Sequence, residues 1–289
     1  MKLSETTTRT LVAAVGVPLG AAVIYVGGWA LGLLLAAIAT AAALEFYRLA
    51  FQKGVRSLRF IGAGAAALFV ILAAIDPDGG PEGSGFATLV IVAVLLSAVA
   101  GIWLRGVAGQ PLLFFNATAT TEIYTGALLS FGLFLRHLPG HDGPLHGTAL
   151  VFAPVLLTWA SDTFAYFVGR AWGTRKLIPS VSPGKTLQGA VGALVGTMLV
   201  AVGYSFILDA FPSYQISVLE ALLFGALISI SAQVGDLAES LFKRDAGVKD
   251  SGTLLPGHGG ALDRFDSLFF TLPLGYFFFR FIITAAPAF

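Results

Sequence analysis

Apolar residues run along this chain in stretches of about twenty, the length a helix needs to cross the hydrocarbon core of a bilayer. The stretches fall at 9–27, 29–50, 59–75, 86–104, 116–136, 148–168, 188–208, 216–239 and 266–286. Turn-rich segments separate them: Gly27-Gly28, the Asp76–Ser84 stretch, His137–Gly147 and Phe211-Pro212-Ser213. The pattern predicts an all-α, polytopic integral membrane protein of about nine transmembrane helices. The third run is short and the first two are barely separated, so eight spans is the alternative. No soluble domain, low-complexity tail or internal repeat interrupts the pattern. A single transmembrane domain over 1–289 is the simplest division, with N-terminal helices over 1–110 and the polar-residue-bearing helices and loops over 111–289. The first run is followed by others and by no small-residue cleavage site, so it reads as a retained helix.

Composition agrees with the bilayer. Apolar residues make up 56% and charged ones 11%, against about 25% charged in soluble domains. The 24 Phe suit lipid-facing surfaces and the 35 Gly suit closely packed helices. A net charge of +1 gives no reason to expect a nucleic-acid partner. The absence of Cys excludes disulfides and thiolate metal sites.

Charge orients the helices. With nine spans and the N-terminus in the cytoplasm, all of the 17 Lys and Arg except Arg136 and Arg280 fall on the cytoplasmic side, as the positive-inside rule requires. This predicts a multi-pass protein of the cell inner (plasma) membrane. The longest cytoplasmic loops, 169–187 and 240–265, each follow a helix with acids near its cytoplasmic end: Asp162 before the first, Asp236 and Glu239 before the second. Ionisable groups within spans are costly and face a protein interior or a wet cavity. A polar pocket at headgroup depth, open to the cytoplasm, is the expectation. Glu45 and Glu122 also lie toward cytoplasmic helix ends, as pocket residues or as interhelical hydrogen-bond partners, with nothing to choose between these.

The densest constellation runs from Gln233 to Asp266. Asp236 and Glu239 share a helix face and Lys243 stands four residues further along it. Lys243-Arg244, Lys249-Asp250, Pro256-Gly257-His258-Gly259-Gly260 and Asp263-Arg264-Phe265-Asp266 follow. Carboxylates and cations around a Gly-rich loop are what phosphoryl or nucleotidyl transfer needs: hard oxygen ligands for Mg²⁺, cations for phosphate oxygens, and Gly for close backbone approach. A solvated basic loop touching lipid headgroups explains the Lys and Arg but not the acids beside them. His137, His141 and His146 cluster in one predicted external loop, away from this chemistry, and read as a polar loop rather than a metal site.

Ser240-Leu-Phe-Lys243-Arg244, then Lys249-Asp250-Ser-Gly, then Leu255-Pro256-Gly-His258-Gly259-Gly260-Ala-Leu-Asp263-Arg264-Phe-Asp266, closely resembles the signature of the phosphatidate cytidylyltransferases (CDP-diacylglycerol synthases). Upstream, Gln233-Val-Gly235-Asp236-Leu-Ala-Glu239-Ser240 is similar to that family's approach to the signature. Asp162-Thr-Phe-Ala-Tyr166 and Ser182-Pro183-Gly184-Lys185-Thr186 resemble its second motif. Two positions depart: Gly184 stands where a Lys is usual, and Gln188-Gly189 where Glu-Gly is common, so Gln188 is given no metal or catalytic role. The resemblance rests on residues 155–270; the first 110 or so residues contribute helices rather than motif.

What the resemblance implies is transfer of a cytidylyl group from CTP to phosphatidate, with release of pyrophosphate. It implies Mg²⁺, with a second metal ion open, held by Asp236, Asp263 and Asp266, with Asp162 and Asp250 next. Lys243, Arg244, Lys249 and Arg264 would bind the triphosphate, and Ser182, Lys185 and Thr186 nucleotide or lipid phosphate. His258 would act on a phosphate oxygen or position its loop. The implied partners are CTP, phosphatidate and the lipid bilayer, with a homodimer left open and no nucleic acid. The reading demands that the 169–187 and 240–265 loops converge. Its rivals are a polyprenol kinase, which would release a nucleoside diphosphate, and a transporter, which would spread its acids through the membrane depth. A CDP-alcohol phosphatidyltransferase would need an Asp-Gly-x2-Ala-Arg pattern, which is absent.

Overall fold

A computed structural model describes residues 5–52, 59–81, 120–254 and 259–283. The helices in order are α1 (Glu5–Val26), α2 (Gly28–Gln52), α3 (Arg59–Ile75), α4 (Thr120–Arg136), α5 (Pro144–Trp172), α6 (Leu187–Leu208), α7 (Val218–Ala246), α8 (Leu262–Phe265) and α9 (Leu268–Phe277), which runs on as a π-helical turn, Phe278–Ile282. Every predicted run coincides with a helix except 86–104, which lies outside the described residues. Among the described residues, 5 helical segments are long and apolar enough to cross a membrane: Gly28–Gln52, Pro144–Trp172, Leu187–Leu208, Val218–Ala246 and Leu262–Ile282. Shorter apolar helices cover Thr10–Val26, Ala63–Ile75 and Thr125–Arg136. The protein is a multi-pass membrane protein.

Local chemistry explains the boundaries. Gly27 and Gly28 take φ of 67° and 46°, the left-handed region open to glycine, and break α1 from α2. The buried Arg136 guanidinium donates to the Ile24 and Tyr25 carbonyls at 3.1 and 3.0 Å, satisfying the end of α1. Ser217 and Glu220 form a reciprocal capping box at the start of α7. Gly247 in the left-handed conformation ends it.

Helices α2, α3 and α4 pack as one group and α5, α6 and α7 as another, with α9 seated against α4, α5 and α7. Phe131 of α4 meets the Tyr276 ring at 5.4 Å, and Phe224 of α7 stacks on Phe278 at 4.5 Å. Helices α5 and α6 approach most closely. A Cβ at Gly189 would lie 2.8 Å from the Ala165 carbonyl oxygen, and Gly192 and Gly196 are equally tight against Val168 and Phe164. At one end of the bundle the α4–α5 and α6–α7 connections are latched. Asp142 accepts from the Ser213 amide and hydroxyl, and Tyr214 donates to the Pro139 carbonyl. His146 stacks on Phe211 within that latch. Among the described residues, no candidate metal cluster includes a histidine.

The purely helical expectation needs one correction. Residues 176–186 form an antiparallel hairpin, β1 (Lys176–Ile178) and β2 (Ser182–Thr186), pairing Lys176 with Thr186 and Ile178 with Ser182. Helices α5 and α7 also run further than the apolar runs that announced them. At 29 residues each they are about 43 Å long, against a hydrocarbon core of about 30 Å. Lys243 and Arg244 are therefore on a helix, not on a loop.

Candidate functional site

The hairpin is built into the bundle from both sides. Thr186 ends β2 and caps α6, its hydroxyl accepting from the Gly189 amide at 3.1 Å. Gln188 closes the preceding turn: its side-chain oxygen accepts from the Thr174 and Arg175 amides, and its nitrogen donates to the Thr174 hydroxyl at 2.7 Å. Val181 packs on Leu237 and Leu241 of α7, and Arg244 donates to the Val181 carbonyl at 3.4 Å. The two loops that had to converge do so.

Between the hairpin and helices α5, α6 and α7 lies a cavity of about 470 Å³. Asp162, Tyr166 and Arg170 line it from α5, Lys185 and Thr186 from β2, and Gln233 and Asp236 from α7. Asp162 and Arg170 are eight residues apart on one helix, a depth of about 12 Å. Asp236 Oδ2 sits 2.6 Å from the Lys185 ammonium, joining hairpin to α7 at the cavity wall. Arg170 donates to the Tyr166 hydroxyl at 2.7 Å.

Beside the cavity, Asp236 enters a second grouping. One carboxylate oxygen from each of Asp236, Glu239 and Asp266 lies within 4.8 Å of the others. Their approach depends on Gly235, where an added Cβ would stand 3.0 Å from Ser267 Cα and 3.1 Å from the Asp266 carbonyl oxygen. Glu239 is buried; its Oε2 meets the Lys243 ammonium at 2.6 Å, while its Oε1 is buried with no hydrogen-bond partner among the described residues. A buried carboxylate oxygen with no donor is expensive, and a hard cation held by oxygens would satisfy it. The donor set therefore suits Mg²⁺.

Asp263 stands next to this group with its oxygens already engaged. It pairs with Lys243 at 2.8 Å and accepts from the Ser251 amide and, at 2.8 Å, from the Gly260 amide. The carboxylates that converge are thus Asp236, Glu239 and Asp266, with Asp263 as the partner of Lys243. Ser182 lies in β2 outside the cavity lining; Lys249 and Asp250 are exposed on the loop after α7, and Arg264 is exposed on α8. His258 and the Glu122 side chain lie outside the described residues. Tyr166, Arg170 and Gln233 join the cavity without having been singled out as site residues. Glu45 is absent from its lining and turns instead to the loop before α8. Glu239 carried a signal, an acid three residues from Asp236 on a membrane helix.

Comparison with known proteins points the same way. The profile of the cytidylyltransferase family matches residues 7–282. A phosphatidate cytidylyltransferase of Staphylococcus haemolyticus (strain JCSC1435) is 35% identical over 205 residues, covering 65% of this chain and 76% of that protein. One from Haemophilus influenzae is 45% identical over 148 residues, 50% of this chain and 49% of that protein. One from Bacillus subtilis (strain 168) is 39% identical over 155 residues, 54% of each. The match thus spans most of the first relative and about half the length of the other two.

Proposed function

This chain belongs to the cytidylyltransferase family and is a nucleotidyltransferase, and from that premise we propose that it transfers the cytidylyl group of CTP to phosphatidate, giving CDP-diacylglycerol and pyrophosphate. The observation that carries the reading is the meeting of Asp236, Glu239 and Asp266 with Lys185 and Lys243 beside a cavity that descends between membrane helices. The relatives named for this activity support it.

In the proposed reaction a phosphate oxygen of phosphatidate attacks the α-phosphorus of CTP in line. The bond from that phosphorus to the α,β-bridging oxygen breaks, and pyrophosphate leaves with the electron pair. The attacking phosphate is already an anion at neutral pH, so the protein has no proton to remove. Its work is to offset repulsion between two polyanions and to align them. Asp236, Glu239 and Asp266 would hold Mg²⁺, which when bound supplies neutralisation of phosphate oxygens and of the charge on the leaving group. Lys185, Thr186 and Arg170 bind phosphate oxygens in the cavity, and Arg244, Lys249 and Arg264 screen the triphosphate at its mouth. Asp263 keeps Lys243 directed at Glu239. The acyl chains stay in the bilayer.

We place the site at the cytoplasmic face of the cell inner membrane. Arg170, Arg175, Lys176, Lys185, Lys243, Arg244, Lys249 and Arg264 all stand at the cavity end of the bundle and Arg136 near the latched end, the asymmetry of a positive-inside protein.

Pyrophosphate release by the purified protein in detergent, given CTP, phosphatidate and Mg²⁺, tests the proposal alongside Asp266→Asn. The expected result is lipid-dependent release that the substitution abolishes. Release of a nucleoside diphosphate would make the protein a lipid kinase, and release untouched by the substitution would overturn the site.

A further inference from the structure

Glu45 belongs to the N-terminal helices, in which the sequence shows no motif, yet its carboxylate is spent on the Gly-rich loop that carries the signature. It is buried at 5% exposure on α2. Its Oε1 accepts from the Ala261 amide at 3.0 Å; its Oε2 accepts from the Leu262 amide at 2.8 Å and the Ser251 hydroxyl at 2.9 Å. The loop is shaped to admit it: a Cβ at Gly252 or Gly260 would fall 2.5 or 2.2 Å from a Glu45 oxygen. A carboxylate on a membrane helix is costly, and this one is compensated by donors from a segment more than two hundred residues away in sequence.

The same loop is gripped from its other side. Asp263 accepts from the Ser251 and Gly260 amides, so Ser251 is held by Asp263 through its nitrogen and by Glu45 through its hydroxyl. Ala261 and Leu262, whose amides Glu45 holds, open α8, and the Asp266 amide donates to the Leu262 carbonyl at 3.1 Å. A loop containing Gly252, Gly259 and Gly260 has little stiffness of its own. Two carboxylates on two elements hold it at Ser251 and at residues 260–262.

We propose that Glu45 is a positioning residue for the transfer reaction: it ties Ser251 to Ala261 and Leu262 so that Asp266 meets Asp236 and Glu239, and so that Asp263 meets Lys243. This rests on the reading of Asp236, Glu239 and Asp266 as the divalent-cation site. Only an acceptor serves, because both facing backbone groups are donors; Glu45→Gln turns an amide N–H₂ toward at least one of them.

The test uses the full chain in detergent and compares wild type with Glu45→Gln and Glu45→Asp. Mn²⁺ binding by electron paramagnetic resonance, pyrophosphate release and thermal unfolding are measured on each. Support is a rise in the Mn²⁺ dissociation constant of about 10- to 100-fold, the range for loss of a group that orients metal ligands. The rate constant kcat should fall in step, while KM for CTP changes little and the protein remains folded. Should Glu45→Gln fail to fold, Ser251→Ala removes one of the three donors alone and should weaken Mn²⁺ binding in the same direction by less. Unchanged Mn²⁺ affinity in the folded variants would overturn the proposal. So would loss of binding only in proportion to loss of folded protein, or a wild type that releases pyrophosphate without binding Mn²⁺. Weakened Mn²⁺ binding in Glu45→Gln, with a wild type that releases no pyrophosphate from CTP, would uphold the positioning role and overturn the assigned reaction instead.

Discussion

Gly235→Ala adds a single methyl group next to Asp236 without touching any carboxylate. The new Cβ would meet Phe270 Cδ2 at 2.9 Å, Ser267 Cα at 3.0 Å and the Asp266 carbonyl oxygen at 3.1 Å. The Phe270 ring can turn aside, but Ser267 Cα and the Asp266 carbonyl are backbone at the α8–α9 junction and move only with that junction. Restoring ordinary contact at about 3.5 Å needs a separation of about 0.5 Å between α7 and residues 266–267. Overpacking of this kind costs about 1–3 kcal/mol. Asp236 and Glu239 stand on one side of the seam and Asp266 on the other, so the displacement opens the carboxylate group directly, and about 0.5 Å is the tolerance of a pre-organised site. If the whole cost appears at the reacting centre, kcat falls about 5- to 150-fold. The half-saturating Mg²⁺ concentration should rise in parallel, with KM for CTP nearly unchanged. Gly203→Ala is the control, since a Cβ there meets nothing within 4 Å among the described residues; it should behave as wild type in both readouts. A Gly235→Ala protein with wild-type kcat and Mg²⁺ dependence would refute the argument that this contact sets the carboxylate spacing.

Glu239→Gln and Asp266→Asn should each weaken Mn²⁺ binding by more than about tenfold, because even groups that merely orient metal ligands are worth that much; retention of wild-type affinity in either removes that residue from the cation site. Lys243→Met strands Glu239 and Asp263, whose side chains are 5% and 8% exposed, and should lower stability by about 3–5 kcal/mol. A fall in Tm by scanning fluorimetry, partly restored by adding Asp263→Asn, checks this, and an unchanged Tm in the single variant contradicts it. Gln188→Glu keeps the oxygen that accepts from the Thr174 and Arg175 amides, and the Thr174 hydroxyl can reverse its bond. Activity should therefore stay within about threefold of wild type by the magnitude of one neutral hydrogen bond, and a large change in Mg²⁺ dependence would give this position a metal role after all.

The membrane helices were legible because hydrophobic length is a one-dimensional signal. Gly27-Gly28 and Phe211-Pro212-Ser213 marked breaks where the structure has them. The ends of α5 and α7 were not legible in the same way. Past Val168 and Glu239 the sequence turns polar, which ends a hydrophobic run but not a helix, and the last turns of α7 are packed on the hairpin by Leu241 and Arg244. The hairpin escaped for a related reason. Lys176–Thr186 holds too few alternating apolar residues to announce a strand, and what stabilises it is tertiary: Val181 on Leu237 and Leu241, and Lys185 on Asp236. Partners from another helix leave no mark in local pattern.

At the site, residue type and spacing on one element were enough to bring Asp236, Glu239 and Lys243 into view, since a helix fixes which side chains share a face. Dividing the roles among the acids needed the fold. Asp263 and Glu239 look alike as sequence, each an acid three residues from another acid, and both touch Lys243. They differ in what else surrounds them. Asp263 is met by amides of its own Gly-rich loop, whereas Glu239, buried on α7, keeps one oxygen without a donor among the described residues. The amides and the Lys243 ammonium make Asp263 an anchor for its loop, and the open oxygen of Glu239 suits a cation. Glu45 extends the same logic across the chain. Its oxygens are filled by the signature loop, so it anchors rather than binds, and an acid in a helix without motif becomes part of what holds the reaction's carboxylates together.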